Sequence, residues 1–456
     1  FFLIDHVLHL KGDRAMSSFS DLLSYHIHNS GKSKIQIAEA IGMPRTNFQK
    51  ISTGARKPQD EHTLEKIMNE LFLSVKEKKE LWEAFHKDTT GFFLYEEYLE
   101  CIRFFKTLAV KDETCFMTDF ISSEIHLKHE VTKLSSRTDL TKALLMILHS
   151  IKEIAQTEIK LLVQPEHSFL LKLFISFAKD HQNIHVSHIV CFDHHDDVNE
   201  SYAKKNMQRV TEIIELMLSS PSYECSYFYD NRNIHFKEAS LFPNCMLTDN
   251  CLLVFDELEE KGFLSINKDL IELYNEKFFK IKEQAVSVFS HPMSACALSH
   301  SHDIDSVITY GPGEQTLHQM NTSAIRFFFT QDGINTYVLS RLKSNDPSHI
   351  LQAEFMLHKI KNCILSENRV FLLKNNFIDL CREFSFYFGS KIGFVLKYTP
   401  ENDHNKDCWQ IHEQSIVEAF HRFINYLPAS IFCFSKDETL QFLDDLLAAC
   451  DTKTKT

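Results

Sequence analysis

The turn around Gly42 constrains the fold of this chain more than any other feature of its sequence. Ala38, Gly42, Phe48 and Ile51 follow one another at intervals of four, six and three residues. A small residue at position 38 lets the next helix cross closely, and glycine adopts the positive φ that such a turn often needs. Pro44 suits the first turn of that next helix, because its missing N–H costs nothing there. This spacing is typical of a helix-turn-helix.

Further helices flank this pair. The apolar spacing from Phe19 to Ile27 predicts a first helix, which ends before Gly31. Ser33 is placed to cap the second helix, and Gly54 to end the third. A fourth helix has apolar side chains on its inward side at Leu64, Ile67, Met68 and Leu71. We therefore predict an all-α helix-turn-helix domain over residues 17–75.

Charge is distributed unevenly along the chain. The net charge is −13 at pH 7, yet residues 17–58 contain six basic and two acidic residues, a net charge of +4. The rest of the chain therefore carries −17. Such an acidic chain does not coat nucleic acid along its whole surface. Basic charge confined to one small segment indicates that only this segment meets phosphate.

The stretch IAEAIGMPRTNFQKISTGARKP resembles the Cro and phage-repressor (XRE) family of helix-turn-helix regulators. The resemblance covers the predicted 17–75 domain, and it implies that the third helix lies in the major groove of double-stranded DNA. By position, the implied base-reading residues are Arg45, Thr46, Asn47, Gln49 and Lys50. The implied contacts to the DNA backbone are Lys34, Arg56 and Lys57.

These roles agree with the chemistry of the side chains. Arg45 can bind guanine with two hydrogen bonds, and Asn47 or Gln49 can do the same with adenine. Lysine and arginine at the backbone positions hold phosphate without specifying sequence. Lys34 departs from the family, which often has glutamine there, so a glutamine-to-phosphate bridge is not expected at this position.

The remaining chain predicts a helical connector and two α/β domains. Residues 76–139 form the connector, and its apolar helix at 92–108 either packs against a neighbouring domain or forms a dimer seam. Residues 140–291 alternate strand-like and helix-like segments, which predicts an α/β domain with a largely parallel sheet. Residues 292–456 predict a second, more antiparallel α/β domain. The predicted fold class is thus multi-domain, with an all-α helix-turn-helix N-terminal domain followed by an α/β C-terminal region.

Two weaker sequence patterns accompany this region. IKLLVQPEHSFLLKLF and RVFLLKNNFIDLCREF share a strand-turn-helix rhythm, but the likeness is too short to indicate a duplication. The whole arrangement resembles large, mostly uncharacterised clostridial regulators through LLVQPEH, HIVCFD and EQSIVEAFHRFINYL. That resemblance implies no particular ligand.

Candidate catalytic and metal-binding motifs are weak. CFDHHDD at 191–197 and SHSHDID at 299–305 gather histidines and carboxylates, but both are interpreted as loops and not as metal sites. TYGPGEQ at 309–315 lacks the lysine of a phosphate-binding loop and is interpreted as a tight turn. No GxSxG, HExxH or kinase-like set occurs. We therefore expect no enzyme activity, no metal and no cofactor.

Other classes of protein are disfavoured by composition. Hydrophobic residues make up 44% and charged residues 24%, which is ordinary for a globular protein. No apolar run is long enough to span a membrane, residues 1–9 do not resemble a signal peptide, and no zinc-type cysteine spacing occurs. A cytoplasmic protein with reduced cysteines is expected. Met16 precedes the first helix and is a plausible natural start.

Three functions compete on this basis. The favoured hypothesis is a sequence-specific transcriptional regulator that binds DNA as a homodimer, with the α/β region sensing an effector or dimerising. The first alternative is an antitoxin or defence-system repressor whose large region binds a partner protein. The second is a metal-dependent hydrolase tethered to DNA.

Overall fold

The computed structural model separates the chain into two compact units, Phe1–Glu96 and Glu97–Thr456. It describes residues 19–59, 61–109, 130–151, 157–165, 170–171, 173–174, 177, 184–194, 201–219, 222–229, 244–290, 303–313, 316, 319–320, 324–344, 346–367, 369–375, 378, 380–399, 407–430 and 432–454. Together the units form a mixed α/β, multi-domain protein.

All the described elements of the first unit are helices. They are α1 (Phe19–Asn29), α2 (Lys34–Ala40), α3 (Arg45–Ser52), α4 (Glu61–Glu70), α5 (Val75–Thr90) and the start of α6 (Phe92–Ala109). Their apolar positions converge on one core that includes Leu23, Ile37, Phe48 and Leu64, each with no exposed surface. The helical spacing seen in the sequence is therefore the spacing of this core.

The second unit contains two mixed sheets. The first has eight strands in the order β1-β7-β6-β5-β2-β3-β4-β8. Its strands are β1 (Val131–Leu134), β2 (Thr157–Leu162), β3 (Ile184–Phe192), β4 (Tyr223–Tyr229), β5 (Asn244–Leu247), β6 (Leu252–Phe255), β7 (Gly262–Ser265) and β8 (Val286–Ser287). Its helices are α7 (Arg137–Ile151), α8 (Tyr202–Ser219) and α9 (Lys268–Lys282).

The second sheet has seven strands in the order β12-β11-β10-β13-β14-β15-β9. These are β9 (Phe289–Ser290), β10 (Ser306–Thr309), β11 (Arg326–Thr330), β12 (Val370–Leu373), β13 (Phe384–Gly389), β14 (Gly393–Tyr398) and β15 (Asp407–Ile411). The helices are α10 (Gln331–Leu342), α11 (Pro347–Glu367), α12 (Gln414–Tyr426) and α13 (Lys436–Thr454).

Each sheet with its helices is called a lobe below, and the two lobes have the same topology. In both lobes, three neighbouring strands are parallel: β2, β3 and β4 in the first lobe, and β10, β11 and β12 in the second. Three antiparallel strands continue the sheet beside the first of these: β5, β6 and β7 in the first lobe, and β13, β14 and β15 in the second. In both, the strand that opens the lobe, β1 or β9, pairs antiparallel with the last of them. A helix follows the last antiparallel strand, β7 or β15. After this helix the chain pairs antiparallel with the third parallel strand, through β8 in the first lobe and at Cys433 in the second. We conclude that the second unit is a tandem repeat of one fold.

Two details differ from the sequence-based description. The sheet of the first lobe is mixed and not largely parallel, because β5, β6 and β7 form an antiparallel meander beside β2. Residues 131–134, within the segment predicted as helical connector, form strand β1, which pairs with β7. Both differences arise from strand pairing between residues far apart in sequence, which local spacing does not report.

The apolar face of α6 is buried within the second unit. Phe104 and Phe105 have no exposed surface. Phe104 lies 5.3 Å from Phe420 and Phe105 lies 4.7 Å from Phe386, measured between ring centroids in edge-to-face geometry. Of the two alternatives for the 92–108 helix, the described contacts favour packing against a neighbouring domain.

Candidate nucleic-acid interface

The α2–α3 pair is held by local interactions at each helix end. Ser33 and Gln36 form a capping box at the start of α2, which satisfies backbone N–H groups on both sides. Gly42 has φ of 70°, and the N–H of Met43 donates to the Ala38 carbonyl at 2.8 Å. Pro44 then precedes α3 as its N-cap. Ser33 and Gly42 take the cap and turn roles that the sequence predicted, whereas Pro44 lies at the N-cap and not in the first turn of α3 as predicted.

Helix α3 buries one side and exposes the other. Phe48, Ile51 and Ser52 are buried. The predicted base-reading residues Arg45, Thr46, Gln49 and Lys50 are exposed, and Asn47 is partly exposed. The fold therefore presents these five side chains on the outer side of one short helix.

The predicted backbone contacts lie at the edges of this surface. Lys34 is the first residue of α2 and is partly exposed, and Arg56 and Lys57 are exposed after α3. The N–H of Arg56 donates to the Lys50 carbonyl at 3.1 Å, which holds Arg56 beside the end of α3. The Lys57 ammonium donates to the backbone carbonyl of Asp88.

One base-reading candidate already has an ionic partner. The Arg45 guanidinium pairs with the Glu39 carboxylate, and both side chains are about 60% exposed, at 62% and 59%. An ion pair this exposed contributes at most about 1 kcal/mol. Arg45 can therefore exchange Glu39 for another acceptor at low cost.

The second unit contains a polar joint that the sequence did not indicate. Glu97 of α6 accepts from the Ser201 hydroxyl at 2.5 Å and from the Arg422 guanidinium at 2.8 Å. Ser201 precedes α8 of the first lobe, and Arg422 lies on α12 of the second. The Glu97 side chain is only 6% exposed, so one buried carboxylate joins α6 to both lobes.

A second polar cluster lies at the carboxyl ends of β3 and β4. Asn206 donates to the Asp193 carbonyl at 2.9 Å and to the Ser415 hydroxyl at 3.1 Å. Tyr229 donates to Glu413, the buried N-cap of α12, at 2.6 Å. Burial and this hydrogen bond raise the pKa of Tyr229 well above its usual value. Asp193, from the motif interpreted as a loop, is thus hydrogen-bonded to the same Asn206 amide that contacts the second lobe.

The other motifs are only partly within the described residues. His195, Asp196, Asp197, His300 and His302 lie outside them. Asp303 pairs with Lys391 at 3.2 Å, and Asp305 accepts from the backbone N–H of Ser390 at 3.2 Å. In TYGPGEQ, a Cβ on Gly311 would lie 2.8 Å from the Gly333 carbonyl oxygen, which fits a tight turn packed on α10.

The second lobe has an open cavity of about 500 Å³. It lies between the β13–β14 turn, the end of β15 and one side of α12. Its polar lining includes Asp305, Lys391, Gln410, His412, Glu418 and His421. Within the described part of the chain, no group of three histidine, cysteine or carboxylate side chains is arranged to hold a metal ion. None of the described helices is both long and apolar enough to cross a membrane.

Comparison with known proteins provides no family assignment. No family model and no curated protein matches the sequence. The chain is similar to the solved structure of TrmBL2, an archaeal chromatin protein, at a TM-score of 0.23 and 16% identity, over 60% of this chain and 95% of that one. It is similar to polyphosphate kinase from Porphyromonas gingivalis at 0.22 and 11%, over 72% and 55%. TM-scores this low do not establish a shared fold, so these likenesses carry no argument about function.

Proposed function

We propose that the protein is a sequence-specific, double-stranded-DNA-binding transcriptional regulator whose first unit reads DNA through a helix-turn-helix formed by α2 and α3. The observation that carries this proposal is that α3 exposes polar and basic side chains but no acidic ones, in a chain that is otherwise strongly acidic. A helix of this kind fits the major groove and presents arginine, asparagine and glutamine to base edges. The proposal assigns the chain no catalytic role and a cytoplasmic location.

The flanking cations support the same arrangement. Lys34 and Arg56 lie at opposite ends of the α2–α3 pair, where they can hold the two sides of a groove. We infer that they position the helix without selecting sequence. The α/β region then serves effector sensing or dimerisation. The cavity in the second lobe is consistent with the first of these roles.

Selection from a random DNA library, followed by binding measurements from about 50 to 200 mM salt, tests the proposal. Affinity for the selected site should fall steeply with salt. Lys34→Ala and Arg56→Ala should weaken binding to all sequences alike. Each should also reduce the salt slope, which is the slope of log affinity against log salt concentration, by about one. Lys79→Ala is the matched control, because Lys79 is a 78% exposed lysine on α5 of the same unit. Its binding should equal that of the unsubstituted chain.

Substitution of the base-reading residues should change sequence discrimination instead of the salt dependence. Asn47→Ala and Gln49→Ala should each lower discrimination between bases by about 1–3 kcal/mol while leaving the salt slope unchanged. An unchanged preferred site in both variants would refute α3 as the reading helix. Failure to enrich any DNA sequence would refute the proposal itself and would favour the partner-protein alternative.

A further inference from the structure

Binding of DNA as a homodimer requires a contact between two copies, and the part of α6 described in the second unit does not leave Phe104 or Phe105 free for one. Phe104 and Phe105 are buried within the second unit. Exposed apolar side chains instead lie along α11. Leu351 is 60% exposed, Phe355 63% and Leu365 52%, and Leu339 of the neighbouring α10 is 50% exposed. Large apolar side chains this exposed and this close together mark an interaction surface.

The exposed side of α11 has the repeat of a coiled-coil seam. Leu351, Phe355, His358, Asn362 and Leu365 are all exposed and follow at intervals of four, three, four and three residues. This 3.5-residue average keeps one stripe facing a partner helix. The other side of α11 is buried in the core of the second lobe through Ala353, Met356, Leu357 and Ile360. The helix is thus already folded and anchored, and its seam is unpaired among the described residues.

Charges beside the seam favour a second α11 in parallel orientation as the partner. Glu354 lies on one flank and Lys359 on the other, five residues later, and both are partly exposed. In a parallel pair each flank meets the opposite flank of the partner five residues on, so Glu354 faces the partner's Lys359, and the reverse. In an antiparallel pair centred on His358, Lys359 would instead meet its own copy. Parallel pairing also places Asn362 against Asn362, a polar pair that fixes register.

The area available indicates a moderate affinity. Four side chains that are about half to two-thirds exposed offer roughly 400 Å² of apolar surface per protomer. Standard stable interfaces bury about 800 Å² per partner, so the stripe and its polar rim fall near the lower end. We expect a dissociation constant on the order of micromolar.

We propose that the protein forms a parallel homodimer through the α11 seam. This inference rests on the proposed function, because that function needs two DNA-reading units. The dimer itself is measured without DNA. Sedimentation equilibrium of the full chain, from about 0.1 to 100 µM, should show a monomer–dimer equilibrium. The double variant Leu351→Ser/Phe355→Ser should weaken dimerisation by about tenfold or more, because it removes two of the three apolar side chains of the seam.

The chain supplies a matched control. Leu273 and Phe279 of α9 are 58% and 47% exposed, so Leu273→Ser/Phe279→Ser removes the same two residue types from another helix. This control should dimerise like the unsubstituted chain. Equal weakening in both double variants, or a chain that stays monomeric at about 100 µM, would overturn the proposal and leave the α11 stripe to a different protein partner.

A charge exchange tests the parallel orientation. Glu354→Lys and Lys359→Glu should each weaken the dimer by about threefold to tenfold, and the double exchange should restore it. In the antiparallel pair Glu354 faces Lys361 of the second copy, so the double exchange would not restore binding. Absence of rescue would therefore overturn the proposed pairing. Loss of DNA binding with an intact dimer would instead refute only the proposed function.

Discussion

Replacement of Arg422 by alanine should destabilise the second unit more than replacement of its partner Glu97 by glutamine. In Arg422→Ala the Glu97 carboxylate keeps the Ser201 hydroxyl but loses its cation, while only 6% of the side chain is exposed. Breaking a buried ion pair in this way costs about 3–5 kcal/mol. Arg422 itself is 38% exposed, so water enters where the guanidinium was, and the cost should be near 3 kcal/mol.

The partner replacement is milder for a physical reason. Glu97→Gln keeps the shape of the side chain and a hydrogen bond to Ser201, and the partly exposed Arg422 can be rehydrated. About 1 kcal/mol is expected. The double variant contains no unpaired buried charge, so adding Glu97→Gln to Arg422→Ala should recover about 1–2 kcal/mol of stability.

Urea unfolding at pH 7 measures these differences. Trp82 lies in the first unit and Trp409 in the second, and they are the two tryptophans of the chain. A Trp82→Phe background therefore restricts the fluorescence signal to the second unit. Equal losses for the two single variants, or a double variant less stable than Arg422→Ala, would show that the pair is effectively solvated and would refute the reasoning.

Three further results are expected. Burial lowers the pKa of His188 to about 4 from 6.5, so the unfolded chain takes up a proton at a higher pH than the folded chain does. The free energy of unfolding of the second unit should therefore fall by up to about 3 kcal/mol as the pH falls from 6.5 to 4. His188→Gln should flatten this pH dependence in urea titrations. Glu39→Gln should free Arg45 and remove a charge that repels phosphate, raising DNA affinity about fivefold in a fluorescence-anisotropy titration; unchanged affinity would count against Arg45 as a contact. Gly333→Ala should cost about 3 kcal/mol or more, because its Cβ would overlap the Tyr310 carbonyl; calorimetry showing an unchanged melting temperature would contradict this packing.

Local chemistry determined what the sequence revealed about the first unit. Ser33, Gly42 and Pro44 act within a few residues of themselves, as caps and turn residues, so their types and spacing predict the helix ends. The apolar spacing likewise predicts the buried side of α3 and hence which residues it exposes. The roles of Arg45 to Lys50 on DNA remain a prediction.

Long-range pairing determined what the sequence did not reveal. The strand-turn-helix rhythm shared by β2 and β12 invites their comparison, yet in the repeat β2 corresponds to β10. Strand order depends on contacts between residues far apart in the chain, and short apolar strands such as LLVF and VFLL are nearly interchangeable by pattern.

The polar joint of the second unit also depends on contacts between residues far apart in the chain. Nothing in the spacing around Glu97 distinguishes it from an exposed helix carboxylate, because its partners Ser201 and Arg422 are more than 100 residues away. The sequence by itself determined the helices, turns and charge pattern of the first unit, since those depend on neighbouring residues. Only the tertiary structure decided the duplicated lobes, the buried carboxylate that joins them and the exposed stripe of α11, since burial is a property of the assembled fold.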